Sequence, residues 1–265
     1  VYAGLARIGW RLPLPGWGLT ASHGPLMVAG FLGTLISLER AVGLRKPWAF
    51  AGPLLTGAGG IALLLGAPEL VPQALITAGS VVTLLVFLYL VRLHSATFTW
   101  LMALSAVLWL AGNLLWLAGR PIFDATPWWM GFLVVMIAGE RVELTRLRRP
   151  SRLAQAPMGL AVAVFVAGLA LSAFSYGPGM RVAGAGLVAL TLWLVRYDIA
   201  RRNVKGQGLV RYMAAGLLLG YVWLAVGGAL SLAVGGQVAG PRYAAIVHSL
   251  LLGFVISMVF AHGPV

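Results

Sequence analysis

Residues 71–92 read VPQALITAGSVVTLLVFLYLVR, a run whose one charge, Arg92, stands at its last position. A helix that crosses a bilayer needs roughly 20 largely apolar residues, and this run supplies them without interruption. Eight further stretches of the same kind lie on either side of it: 23–42, 49–67, 97–118, 127–144, 155–176, 179–197, 209–235 and 243–262. The whole-chain composition agrees, with 60% apolar and 9% charged residues, against about 25% charged in an ordinary soluble domain. No single water-soluble core buries that much apolar surface in 265 residues. A lipid solvent removes the difficulty, and the 35 glycines suit close helix–helix approach within it. The expected fold is an all-α, polytopic integral membrane helix bundle of about nine transmembrane helices, forming one domain over 1–265. The bilayer is its first partner.

Loop charge then orients the chain. If the spans alternate strictly, Arg40, Arg45, Lys46, Arg92, Arg141, Arg146, Arg148, Arg149, Arg152, Arg196, Arg201, Arg202, Lys205 and Arg211 fall on one side. Arg7, Arg11, Arg120, Arg181 and Arg242 fall on the other, a division of 14 against 5. The positive-inside bias puts the richer side in the cytoplasm and the N-terminus outside, as in a bacterial inner-membrane protein. The formal charge of +13 is therefore a topological signal and not a nucleic-acid surface. Residues 1–19, with Arg7, Arg11, Pro13 and Pro15, read as an interfacial segment. The chain begins at Val1, not Met, and stops at Val265 just after an apolar run, so it is expected to continue beyond one or both ends. Short turns such as Gly66-Ala67-Pro68-Glu69 and Tyr176-Gly177-Pro178-Gly179 carry the Gly and Pro that tight reversals require. They leave no room for a domain outside the membrane.

One echo runs through the sequence. Gly30-Phe31-Leu32, Ile36 and Glu39-Arg40 recur as Gly131-Phe132-Leu133, Ile137 and Glu140-Arg141, and each set runs on to a basic cluster and a proline. This suggests a repeat of 23–47 in 124–150, with Gly253-Phe254 as a third trace.

Ionisable residues inside spans are costly and point to function by default. With no cysteine, thiolate sites and iron–sulfur clusters are excluded, and His, Met, carboxylate or Tyr must hold any metal or haem. His23 opens the first span at the outer face. His248 lies six residues inside Arg242, about 9 Å along its helix. His94, just after Arg92, and His262, closing the last span, belong to the inner side. The four divide into an outer pair, His23 and His248, and an inner pair, His94 and His262. On an uninterrupted α-helix, His248 and His262 stand about 21 Å apart and within about 40° of one face. That separation suits two b-type haems stacked between helices, with neutral imidazoles as axial ligands. Met27, four residues after His23, offers a soft copper ligand on the same face.

Structural readings compete at each position. His94 sits in a polar turn, His262 stands where a cation favours the helix dipole, and His23 precedes Gly-Pro at a helix start. Glu39-Arg40 and Glu140-Arg141 form ion pairs or, in the functional reading, a proton relay beside the inner histidines. Asn113 is expected to join helices by hydrogen bonding, and Trp128-Trp129 to belong to an interfacial aromatic belt. Walker A, dinucleotide-loop and HExxH motifs are absent from the sequence, as is a lysine within a span.

The stretch His23-Gly-Pro-Leu-Met-Val-Ala-Gly-Phe-Leu-Gly33 resembles the opening motif of the NnrS family, polytopic bacterial membrane proteins described as binding haem and copper and linked to the nitric oxide response. The likeness covers the first span and, loosely, the histidine-bearing last one. Glu39-Arg40 departs from the family's usual continuation, and nine spans fall short of its usual twelve. The resemblance implies His23, and less directly His248 or His262, as haem or metal ligands. The leading expectation is a membrane haem b protein, with copper as a second metal and a small gas as ligand, serving nitric oxide response or electron transfer. The rival is a small-solute transporter or channel whose Glu and His residues line a polar path.

Overall fold

A computed structural model of the chain describes residues 22–145 and 152–262, together with Leu5, Gly9 and Trp10. Arg7, Arg11, Pro13 and Pro15 of the expected interfacial segment, and Arg146, Arg148, Arg149 and Pro150 at the end of the suggested repeat, lie outside the described residues. Among the described residues there is no strand, and nine helices are long and apolar enough to span a membrane. The protein is an all-α, multi-pass membrane protein. The helices are α1 (His23–Leu44), α2 (Pro47–Leu64), α3 (Leu70–Leu93), α4 (Thr97–Leu117), α5 (Ile122–Thr145), α6 (Arg152–Ser172), α7 (Tyr176–Tyr197), α8 (Gly208–Val234) and α9 (Gly240–His262).

Several helices begin earlier than the apolar runs suggest, because proline opens helices as well as ending them. Its missing N–H costs nothing in a first turn, and its fixed φ already suits the helix. Pro178 and Pro241 sit in the first turns of α7 and α9, and Pro127 lies inside α5. The reversal after α2 is made by Gly66 at φ 70°, a conformation that costs glycine little.

The contacts divide the chain into two compact units, one of Val1–Thr99 with Ala106–Trp129, the other of Trp100–Ser105 with Met130–Val265. In the first, α1, α2 and α3 meet through small residues. A Cβ on Gly30 would lie 3.3 Å from the Gly60 Cα, and one on Gly59 only 2.6 Å from the Ile76 side chain. Hydroxyls fill the seam these contacts leave. The Thr34 and Thr56 oxygens are 3.0 Å apart, those of Ser37 and Thr83 are 2.8 Å apart, and Thr77 reaches back to the Gln73 carbonyl at 2.7 Å. In the second unit α6 packs on α7, α7 on α8, and α8 on α9. There a Cβ on Gly168 would sit 2.8 Å from the Gly179 carbonyl, and one on Gly184 2.7 Å from that of Gly228. Lipid gives apolar helices no hydrophobic drive to associate, so this close backbone approach supplies the attraction.

Candidate functional site

Two helices leave the α-ladder, each just after a histidine. In α1, Leu26–Leu32 forms a π-helical stretch beginning three residues past His23. In α9, Ser249–Val255 does so directly after His248. The Gly33 N–H reaches the Val28 carbonyl and the Ile256 N–H that of Leu251, one residue further back than an α-helix allows. Such wide turns are rare and gather at functional sites.

The wide turn resets the histidines of α9. Taking one extra residue into a turn moves the helix phase by about 100°. His248 and His262 therefore stand roughly 140° apart around the axis, where an unbroken α-helix would hold them within about 40°. Their separation along the axis stays near 20 Å. Each ring is held the same way: His248 Nδ1 bonds the Ala244 carbonyl at 2.7 Å, and His262 Nδ1 bonds the Met258 carbonyl at 2.7 Å. A carbonyl only accepts, so Nδ1 carries a proton, and in the neutral tautomer with that proton Nε2 is the nitrogen with the lone pair. A backbone carbonyl on the far nitrogen is also how proteins orient metal-bound imidazoles. His248 is exposed and His262 half-buried.

The other histidines differ. His23 is half-buried and not free of partners, and Met27, one turn on, is half-buried where the ladder widens. His94 lies past the end of α3 and is exposed. Its N–H closes that helix on the Leu90 carbonyl at 2.9 Å, its carbonyl accepts from the Thr99 hydroxyl at 2.9 Å, and its ring leans on Phe98. The backbone of His94 thus builds the α3–α4 turn. His23 and His94 belong to the first unit, His248 and His262 to the second. No group of three His, Cys, Asp or Glu able to hold a metal occurs among the described residues.

Glu39 and Arg40 pair with each other at 3.4 Å, and Arg40 lies over the Phe87 ring, 6.0 Å from its centroid. Glu140 also has partners. Arg141, however, is fully buried and gives two bonds to Asp198, Nε to Oδ2 at 2.7 Å and Nη2 to Oδ1 at 3.1 Å. Asp198 follows directly on α7 and accepts a further bond from the Ala200 N–H at 2.7 Å. The buried Tyr221 of α8 lies within the electrostatic reach of both. Asp198 escaped the sequence reading because it stands just beyond an apolar run. The available signal was its solitude, as the one acidic residue after Glu143, set among Arg196, Arg201 and Arg202. One tryptophan also moves. Trp129 is not part of an interfacial belt but fully buried, because its indole N–H donates to Asn113 Oδ1 at 2.9 Å and its ring meets Trp116 edge-on. Asn113 does join helices, as expected.

A family model described as "Domain of unknown function (DUF8744)" matches residues 1–265. The chain belongs to the DUF8744 family. No curated protein and no solved structure matches it. In this DUF8744 chain each unit has its own candidate: in the second, the two Nε2 atoms of α9 with the π turn between them, and in the first, His23 ahead of the π turn of α1.

Proposed function

We propose that this DUF8744 protein is a membrane-embedded haem b protein in which His248 and His262 present axial nitrogens at two depths of one helix. The observation that carries the reading is the shared anchoring of both Nδ1 atoms on backbone carbonyls, which leaves both Nε2 atoms available and fixes the rings. The angular offset set by the π turn directs the two rings to different faces, so each histidine serves a separate haem. His23, with Met27 beside it, is the candidate for a further haem or copper ligand, in line with the NnrS-like motif it opens. Haem, when bound, supplies a redox-active iron able to take an electron or a diatomic gas such as nitric oxide. The protein's own part is to hold the imidazoles oriented, each by its Nδ1 bond to a backbone carbonyl. The charge bias of the loops favours a bacterial inner membrane with the N-terminus outside.

The test is an absorption spectrum, oxidised and reduced, of protein purified from haem-replete cells, with metal analysis. A Soret band that falls by half in His248→Ala and again in His262→Ala supports the reading. A colourless, metal-free protein ends it.

A second reading has its own observation, the buried hydroxyl seam of α1, α2 and α3 with Gln73 bonded to Glu69 at its end (3.1 Å). Such a lining suits a small polar solute or a proton. Vesicles loaded with a pH-sensitive dye test it: flux lost in Thr83→Val would favour a pathway, and flux equal to that of empty vesicles would discard it.

A further inference from the structure

The end of α7, the α7–α8 loop and the first turn of α8 carry Arg196, then Arg201, Arg202 and Lys205, then Arg211, all exposed. Arg40, Arg45 and Lys46 flank the α1–α2 junction and Arg92 ends α3, while in sequence the one comparable cluster is Arg146, Arg148, Arg149 and Arg152, between α5 and the start of α6. The positive-inside bias accounts for the side of the membrane on which these five stand, and leaves open what offsets their charge. The segment 196–211 holds a single carboxylate, Asp198, and that one is turned inward. Its two oxygens are taken by Arg141 and the Ala200 N–H, so it neutralises none of the five. The same bonds pin a short helical turn, Ala200–Asn203. That turn continues through Lys205 N–H to the Arg202 carbonyl at 3.0 Å and Gly206 N–H to that of Asn203 at 3.0 Å. Arg196 lies over the ring of the half-buried Tyr197 at 5.3 Å. A tyrosine at the end of a spanning helix marks the headgroup level of a membrane. The result is an ordered set of cations at a membrane interface, with no exposed acid among them.

We propose that this loop binds the phosphate of anionic lipid headgroups. Fixed cations next to a spanning helix gain roughly fivefold in affinity each from an anionic surface, and an ordered loop loses less freedom on binding than a mobile one. The inference stands apart from the haem reading and survives its failure.

The experiment uses the whole protein in neutral detergent, titrated with phosphatidylglycerol or phosphatidylcholine and read by native mass spectrometry and thermal unfolding. Phosphatidylglycerol is expected to bind at least tenfold more tightly and to raise the melting temperature. The combined variant Arg201→Gln, Arg202→Gln and Lys205→Gln should weaken that binding roughly a hundredfold. Arg45→Gln with Lys46→Gln should change it little. Equal binding of the two lipids, or a preference undiminished in the triple variant, overturns the proposal. Inorganic pyrophosphate competing one-for-one with the lipid would also overturn it, by assigning the site to a soluble anion. Should the triple variant fail to fold, the wild-type preference must still fade as salt is raised, since screening shortens the reach of exposed charges. A preference indifferent to salt sinks the idea as well.

Discussion

The same short sequence behaves differently in three helices. Gly30-Phe31-Leu32 in α1 and Gly253-Phe254-Val255 in α9 both lie in π-helical stretches, whereas Gly131-Phe132-Leu133 in α5 is plain α-helix. The shared Gly-Phe pair, and in α1 and α5 the full Gly-Phe-Leu, therefore does not encode the wide turn. Surroundings separate the cases. In α5, 78% of an 18-residue apolar stretch is buried, against 39% in α1 and 39% in α9, and Phe132 is fully enclosed. An extra residue in a helix packed on all sides would misalign every contact beyond it, because close-packed interiors deform poorly. A helix with an open face can absorb the same insertion and gain a rotated side chain. The two that do so each carry a histidine just ahead of the wide turn.

Deleting one residue is the sharpest way to break this comparison. Removal of Leu133 from α5 should abolish folding, seen as loss of a monodisperse peak after detergent extraction. It would turn the rest of that helix, Arg141 included, by about 100°. Next in size is the ion pair that α5 makes. Arg141→Met leaves Asp198 buried and uncompensated, and is expected to cost about 3–5 kcal/mol in thermal or denaturant unfolding. The double change Arg141→Met with Asp198→Leu should recover most of that loss, since both charges then leave the interior. A double variant no more stable than the single one would refute the pairing.

Smaller effects are expected in α9. Deleting Leu251 should return the helix to regular α geometry without changing the offset of His248 and His262, since one residue fewer on an unbroken α-helix leaves them the same roughly 140° apart. The protein should still fold, with a melting temperature only a few degrees lower, and any absorption that depends on His248 should persist. If Leu251 and Leu133 deletions proved equally damaging, the contrast between open and enclosed helices would be wrong. Smallest is Trp129→Phe, which strips the donor from the buried Asn113 oxygen and should cost about 1–3 kcal/mol, measured as a fall in melting temperature.

The membrane fold was legible because the signal is collective. Nine apolar runs and a one-sided charge pattern need no knowledge of which helix touches which, and a chain that must satisfy its backbone in lipid has few alternatives to helices. The histidines were legible as well, since any ionisable residue in such runs stands out. Their facing was not. It depends on whether hydrogen bonds step back four residues or five, and packing around the helix settles that choice. Asp198 shows the same limit from another side. Nothing local marks it as a buried partner of Arg141, 57 residues away, because the bond exists only once the folded chain brings the two residues together.

Composition and periodicity thus determined by themselves the solvent, the helix count and the residues worth suspecting. Tertiary structure alone decided which way His248 and His262 point, that Trp129 turns inward to Asn113, and that Asp198 leaves the basic loop uncompensated by binding Arg141. The physical reason is common to all three. Partition into lipid is an additive property of a chain segment, while ladder register, indole donors and ion pairs are satisfied by particular neighbours that only the folded chain supplies.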